Sequence, residues 1–315
     1  MQEAAVTGSN ISSQTPFAKS FAGHETFALR YSWLKKGLDH LTTDPEIFRR
    51  DEAQVLLGAG KNMVKSIRHW CVAARVAEEI PGTRGGILRP TDLGMRLLSD
   101  NGWDPFMEDD ATLWLIHWNL ASAGTRAATW YWAFNRFREH AFTRQSMADA
   151  LAKALQIMEW ADVAHYTIRR DVDCFVQTYS LPRWGKSRSD DALECPLTSL
   201  ELLTQAPDGE ELRFRVGPKN SLPPTHFTYA LAEFWKTSRR TAMTLEFRDI
   251  MMSEGSPALV FKLDEDSVLG YLDGLKEASH GDLVFEDTAL VRRIVRNRRS
   301  EISTMHLLEA YYGKR

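Results

Sequence analysis

The chain has 315 residues, which is enough for two or three small domains. Hydrophobic residues make up 43% and charged residues 26% of it, and the net charge of −3 gives no global sign of a nucleic-acid partner. No apolar run is as long as a membrane span. The three cysteines are far apart, which favours a reducing cytoplasm over a disulfide framework.

The chain begins with a segment, residues 1–20, that predicts a disordered arm, because it is rich in Ser, Thr, Gln and Ala and has no apolar core. An amphipathic helix is predicted from Phe27 to His40, with Lys35 on its polar side as a candidate DNA contact. His24 and Glu25 precede this helix. They fit an acid–base or metal pair, or else they cap the helix. Capping is the favoured interpretation, because one adjacent pair lacks metal-ligand spacing.

A helix-turn-helix is predicted next. A short helix, Phe48–Leu57, leads to a Gly-Ala-Gly turn and a second helix from Lys61 to Trp70. In this motif the second helix enters the major groove, where basic and amide side chains suit phosphates, guanine and adenine. The apolar positions of the second helix are predicted to face inward: Met63, Val64, Ile67 and Trp70. The residues predicted to face outward and contact DNA are Lys61, Asn62, Lys65 and Arg68.

The segment after the helix-turn-helix predicts a hairpin and a further helix, which completes a winged helix. Strands at 76–80 and 87–89 are predicted around a Gly-rich turn with Arg84 at its tip, and Thr91 caps a helix that runs to Leu98. Between residues 49 and 89 there are eight Lys/Arg and four Asp/Glu, so this segment is basic in an acidic chain. A protein-interaction module, or a basic face that is merely solvated, remains the alternative.

The middle of the chain predicts a buried helical core. An acidic loop at 102–110 leads into a helix at 111–120 that is apolar on all sides. The loop carboxylates suit a divalent ion, but helix N-terminal charges are the favoured interpretation. Helices at 143–155 and 163–179 resemble a second helix-turn-helix, with Tyr166 among the inward residues. Within it, Asp171-x-Asp173 is a weak metal motif.

The last third predicts a third unit of the same kind. Its hairpin is predicted at 283–286 and 290–291, and phosphate contact is expected from the arginine cluster Arg292, Arg293, Arg296, Arg298 and Arg299. Before this hairpin we predict a polar connector at 182–196, helices at 197–204, 224–235, 245–252 and 264–275, and strands at 212–216 and 258–263.

These elements together predict a mainly α protein of the α+β class, in which tandem winged-helix or helix-turn-helix units with short β wings surround a helical core. The predicted divisions are an arm at 1–20, a DNA-binding winged helix at 21–100, a helical middle at 101–185 and an α+β region at 186–315. No clustered Cys/His pattern indicates a zinc site.

Several segments resemble the SspB-like family: Phe21–Lys36, Gly58–Trp70, Gly102–Trp118, Cys195–Leu197 and Ser256–Glu265. The resemblance implies a DNA-binding component of a bacterial DNA phosphorothioation and phage-defence system, in which sulfur replaces a non-bridging phosphate oxygen. It also implies DNA nicking that permits this exchange. The implied partners are DNA, a cysteine desulfurase, an ATP-using sulfur-transfer enzyme and an ATPase. Homodimerisation is a general expectation.

The resemblance carries over no catalytic residue. His24, Glu25 and Arg30 are the candidates, because a base, an acid and a phosphate clamp lie together in sequence, and nicking would call for Mg²⁺ or Mn²⁺. Cys71 is either a sulfur carrier or, as its apolar neighbours favour, a core residue. A transcriptional regulator without chemistry and a non-catalytic adaptor for the modification complex remain the alternative functions.

Overall fold

The computed structural model describes residues 18–84, 86–160, 162–180, 195–207, 209–238, 241–297 and 302–313. Within these ranges the protein is mainly helical with three small antiparallel sheets, which confirms the α+β class. No helix there is long and apolar enough to cross a membrane. The predicted arm and the predicted connector lie outside the described residues, apart from residues 18–20 and 195–196.

The segment up to residue 98 contains helix α1 (Tyr31–Thr43), a 3₁₀ turn (Ile47–Arg49), α2 (Ala53–Leu56), α3 (Lys61–Ala73), strands β1 (Ala77–Glu79) and β2 (Leu88–Pro90), and α4 (Asp92–Leu98). The elements follow the predicted order, except that the predicted helix Phe48–Leu57 is the 3₁₀ turn followed by the four-residue α2. β1 and β2 pair antiparallel, and Thr91 caps α4 by accepting the Gly94 N–H. α1 starts four residues later than predicted. Before it, Ala22, Glu25 and Thr26 have left-handed backbone, which keeps the chain in turns.

α1 and α3 pack closely through Gly37. A Cβ atom at this position would lie 2.4 Å from Cys71 Sγ of α3, so a larger residue would force the helices apart. Of the α3 residues predicted to face inward, Val64, Ile67 and Trp70 are buried and Met63 is partly buried. The amphipathic prediction for α3 is therefore confirmed.

The middle of the chain contains four helices: α5 (Asp110–Ala121), α6 (Ala128–Asn135), α7 (Arg144–Ile157) and α8 (His165–Tyr179). All residues of α5 from Ala111 onward are buried, as its apolar sequence predicts. The prediction for Tyr166 is wrong, because α8 begins only at His165 and Tyr166 lies in its exposed first turn, 70% accessible and near the Arg170 guanidinium.

Polar side chains of α5 tie it to distant parts of the chain. Asn119 donates to the Ala74 carbonyl after α3, at 3.0 Å. His117 Nε2 donates to the Val260 carbonyl at 2.8 Å, while its Nδ1 accepts from Tyr179 OH at 2.8 Å. Each bond pairs a polar group that α5 buries, so the helix orients as well as fills the core.

The C-terminal part mixes short helices and strands. Its elements are a 3₁₀ turn (Pro196–Leu200), β3 (Leu203–Gln205), β4 (Leu212–Phe214), α9 (Pro224–Ser238), β5 (Thr244–Glu246), α10 (Phe247–Met252), α11 (Pro257–Phe261), α12 (Glu265–Asp273), α13 (Leu275–Ala278), β6 (Leu283–Asp287), β7 (Arg292–Arg296) and α14 (Thr304–Tyr312). β3 pairs with β4, and β7 lies between β5 and β6.

Four predictions for this part are wrong. The second hairpin strand is β7 (Arg292–Arg296) and not 290–291. The predicted strand 258–263 is helical, because Pro257 suits the first helical position and Ser256 caps it by accepting the Leu259 N–H. The predicted helix 197–204 is a 3₁₀ turn followed by a strand in which Thr204 pairs with Arg213. The predicted helix at 245–252 starts only at Phe247, because Leu245 pairs with the neighbouring strand β7.

Acid should destabilise this core. Burial lowers the pKa of both His69 and His117 to about 3, against roughly 6.5 in an unfolded chain. Between these values the unfolded chain binds more protons than the folded protein. The contribution of the two neutral histidines to stability is therefore fully present above about pH 6.5 and is lost as the pH falls. From pH 7 to pH 5 we expect the free energy of unfolding to fall by about 2 kcal/mol per histidine.

Urea denaturation at both pH values measures this loss. His69→Phe keeps an aromatic ring but cannot be protonated, so it should remove about half of the decrease. An undiminished decrease in that variant would show that other groups control the acid sensitivity.

Candidate nucleic-acid interface

α3 begins without a side-chain cap and without an acidic residue in its first turn, as do α1, α6 and α8. The N-cap of α3 is Gly60, which has no side chain, and its first turn contains no Asp or Glu. By contrast, α12 is capped by Asp264 and has two further acids in its first turn. The first N–H groups of α3 and the positive end of its dipole are therefore left for an external anion.

Gly60 is not required by the fold. Its φ of −64° is open to any residue, and a Cβ atom there would meet nothing within 4 Å. Gly58 differs, because its φ of +57° favours glycine in the turn before α3. The fold itself does not require glycine at position 60. The missing side chain at this open helix N-terminus instead leaves room for the close approach of an external phosphate.

The structure brings all four residues predicted on α3 to one side of the helix. Lys61 and Asn62 are exposed, and Lys61 has no ion-pair partner among the described residues. Lys65 Nζ lies 3.0 Å from Glu25 Oε1, and Arg68 donates to Glu79 Oε1 at 2.9 Å. The face is therefore cationic at its N-terminal end and charge-balanced further along.

Glu79 is shared between two arginines. Besides Arg68 of α3 it accepts from Arg126, an exposed residue of the loop before α6. Arg126 was not among the predicted contacts, since 47 residues separate it from Glu79 and no local pattern connects them. The pair extends the cationic surface of α3 toward the middle of the chain.

The β1–β2 hairpin adds a second cationic element. Arg84 lies in the connection between the two strands, is exposed and has a φ of +50°. Arg89 forms an ion pair with Glu78, with its Nε 2.7 Å from Glu78 Oε1. The Arg49 side chain lies against the hairpin, about 3.1 Å from where a Cβ atom of Gly86 would be. The hairpin thus holds Arg84 at its end, as the sequence predicts.

The other predicted DNA contacts are engaged elsewhere. Lys35 lies between Asp39 and Asp100, with Nζ 2.6 and 2.7 Å from their carboxylates, and its side chain is only 13% exposed. Arg296 is buried over the Trp235 ring, with the guanidinium 4.3 Å from the ring centroid. Both side chains are poorly placed to contact a phosphate.

The remaining predicted arginines, in β7, are also paired. Arg292 contacts Asp287 and Glu265, and Arg293 donates to Glu286 at 2.8 Å. Arg298 and Arg299 lie outside the described residues.

His24 is enclosed. It is 1% exposed, and its Nδ1 accepts the Thr26 N–H at 3.0 Å, so Nε2 carries the proton and donates to Asp171 Oδ1 at 3.0 Å. Asp171 also accepts from the Ala22 N–H at 2.5 Å and from Thr129 Oγ1 at 2.8 Å. The group anchors the segment before α1 to helices α6 and α8.

The other candidates for chemistry are not brought to one site. Glu25 points to Lys65, away from the His24–Asp171 contact. Arg30 lies over the Trp33 ring, 5.3 Å from its centroid. Cys71 is fully buried, and burial raises the pKa of its thiol to about 12, which does not suit a sulfur carrier.

The described carboxylates nearest the candidate residues are engaged with protein donors. Among the described residues no group of three or more His, Cys, Asp or Glu side chains could hold a metal ion. Asp171 is committed to protein donors, whereas Asp173 of the same helix is exposed and lies 3.7 Å from Arg144. In the acidic loop, Asp104 accepts the N–H groups of Glu108 and Asp109.

Comparison with known proteins identifies the family. A family model described as a protein of unknown function (DUF4007) matches residues 21–312, so the chain belongs to that family. Two crystal structures of SspB, one with bound magnesium ion, have TM-scores of 0.87 and 0.86 and 29% sequence identity; each alignment covers 94% of this chain and 89% of theirs. No curated protein matches the sequence significantly. The protein is SspB-like, as the sequence motifs indicate.

The buried contacts of Asp171 predict a strong dependence of stability on this residue. Asp171→Ala leaves the Ala22 N–H, the His24 Nε2–H and the Thr129 hydroxyl without an acceptor. It should lower the free energy of unfolding by about 3–5 kcal/mol. Asp173→Ala, two positions along α8 and exposed, should change it by less than about 0.5 kcal/mol. Chemical denaturation measures both variants. A loss of stability in Asp171→Ala as small as that expected for Asp173→Ala would mean that the Asp171 contacts contribute little.

Proposed function

We propose that this protein is the DNA-binding component of a bacterial DNA phosphorothioation system, and that residues 31–98 act as a winged helix. The likeness to SspB over 94% of the chain supports the system. The open, cationic N-terminus of α3 is the observation that supports DNA as the ligand. Partner proteins that mobilise sulfur and use ATP belong to the same proposal.

In this proposal a DNA phosphate binds at the first turn of α3, where unpaired N–H groups, the helix dipole and Lys61 act together. Asn62 follows on the same exposed side, and an amide in the major groove pairs with adenine N6 and N7. Arg84 of the hairpin contacts a neighbouring phosphate or the minor groove. The phosphate contacts supply affinity and Asn62 supplies sequence preference.

We propose no catalytic role for His24, Glu25 or Arg30, because His24 is enclosed and the three side chains point to different partners. Nicking is tested by incubating the protein with supercoiled plasmid and Mg²⁺ or Mn²⁺. A metal-dependent nick would add an enzyme activity, whereas intact plasmid of shifted mobility would leave the chemistry to partner proteins. Weak DNA binding together with a stable complex with an ATP-using partner would favour an adaptor. Binding to a two-fold symmetric DNA site without cleavage would favour a regulator.

A negative charge at the start of α3 should weaken DNA binding without unfolding the protein. Gly60→Asp supplies a preferred N-cap, so the thermal midpoint should stay or rise, while the carboxylate repels phosphate. Duplex affinity, measured by fluorescence anisotropy at fixed salt, should fall at least tenfold. Gly270→Asp is the matched control, since that glycine is also exposed, with open space at its Cβ, but lies in α12. Equal losses in both variants would exclude α3 as the DNA-binding helix.

Lys61→Gln should change the salt dependence of binding. Removing one phosphate contact should reduce the slope of log affinity against log salt by about 1. Lys153→Gln, at an exposed lysine of α7, should leave the slope unchanged. An unchanged slope in Lys61→Gln would place the phosphate contact on another residue.

A further inference from the structure

A hollow of about 420 Å³ lies between the outer side of α1 and the loop at residues 104–109. We call it the α1 pocket; the residues that line it include Tyr31, Lys36, Asp39, His40 and Phe106. Its volume lies within the range of small-ligand sites, roughly 300–1,000 Å³. The opposite side of α1 packs on α3 through Gly37, so the pocket is separate from the DNA surface proposed above.

Two aromatic rings in the α1 pocket are exposed to solvent. Tyr31 is 45% and Phe106 67% accessible, whereas the tryptophan rings of this part of the fold, such as Trp33 and Trp114, are buried. An exposed phenylalanine that contributes nothing to the core suits contact with a planar ligand.

The loop holds Phe106 in this exposed position. Asp104 is buried, and its two carboxylate oxygens accept the N–H groups of Glu108 and Asp109 at 2.9 and 3.0 Å. The next residue after Phe106, Met107, is 1% exposed and has a φ of +56°. Burial of Met107 fixes the loop with the neighbouring ring outward, so a ligand would not have to order it.

Charged side chains of both signs line the pocket: Lys35, Lys36 and Asp39. Lys35 at its edge is neutralised by Asp39 and Asp100, but Lys36 and His40 have no ion-pair partner within the described part of the chain. Aromatic rings beside an unpaired cation, here Lys36, are a combination that binds unstacked nucleotides, because the rings stack on the base while the cation contacts the phosphate.

We propose that the α1 pocket binds one unstacked nucleotide, with its base on Tyr31 and Phe106 and its phosphate at Lys36 and His40. Stacking accepts any base, so the site has little sequence preference. The nucleotide comes from a single-stranded stretch of DNA or is free in solution; the chemistry is the same and the experiment separates the two. This proposal is independent of duplex binding by α3.

The test measures binding of a fluorescein-labelled ten-residue oligothymidylate and of a duplex to the full-length protein by anisotropy. Tyr31→Ala and Phe106→Ala should each weaken oligothymidylate binding by about 5- to 150-fold, as expected for loss of one stacked base. Duplex binding should remain, whereas Gly60→Asp should impair the duplex and spare the oligothymidylate. Ile157→Ala, which removes an apolar side chain that is 77% exposed on α7, is the matched control.

Phe106→Leu separates stacking from apolar contact, and it should bind almost as weakly as Phe106→Ala. Competition by thymidine 5′-monophosphate would identify a free nucleotide as the ligand, and competition only by unlabelled oligothymidylate a strand. Absent oligothymidylate binding, unchanged binding by both aromatic variants, or an equal loss in Ile157→Ala would overturn the proposal.

Discussion

The complete burial of α5 is the constraint on which the rest of the structure depends. A helix with no exposed side from residue 111 to 121 has to be enclosed by other elements. Hydrogen bonds from its polar side chains fix where those elements lie. Asn119 bonds to the end of α3, His117 to α8 and α11, and Thr112 to Tyr312 in the last helix. One apolar core therefore runs through all three predicted parts of the chain. Leaving one of these buried groups unpaired would cost about 1–3 kcal/mol.

Elements whose signals are local could be predicted from the sequence. The spacing of Val64, Ile67 and Trp70 predicted α3, and Thr91 and Thr143 mark the starts of α4 and α7 where they cap them. The five-residue helix α11 was mistaken for a strand, because it is too short to show helical periodicity and its apolar run resembles a buried strand. The late start of α1 depends on the turn around His24, which no periodicity reports.

The candidate DNA surface could also be predicted only in part, because the sequence pattern reports local spacing and not contacts between distant residues. Helical spacing placed Lys61, Asn62, Lys65 and Arg68 on one side, but their carboxylate partners are distant in sequence. The C-terminal arginine cluster was expected to contact phosphate, but arginines that are close in the sequence do not all lie on one exposed surface. In β7 successive residues point to opposite faces, and Arg296 is buried against Trp235.

The carboxylates that hold Lys65 and Arg68 have a consequence for how the proposed DNA-binding surface would search a chromosome. A phosphate that contacts either cation has to displace Glu25 or Glu79, so it exchanges one ion pair for another and gains little. Lys61, the first turn of α3 and Arg84, which have no carboxylate partner among the described residues, offer an unopposed contact to any duplex. Residence on arbitrary sequences is then short, and long residence is reserved for sites whose bases also bind Asn62.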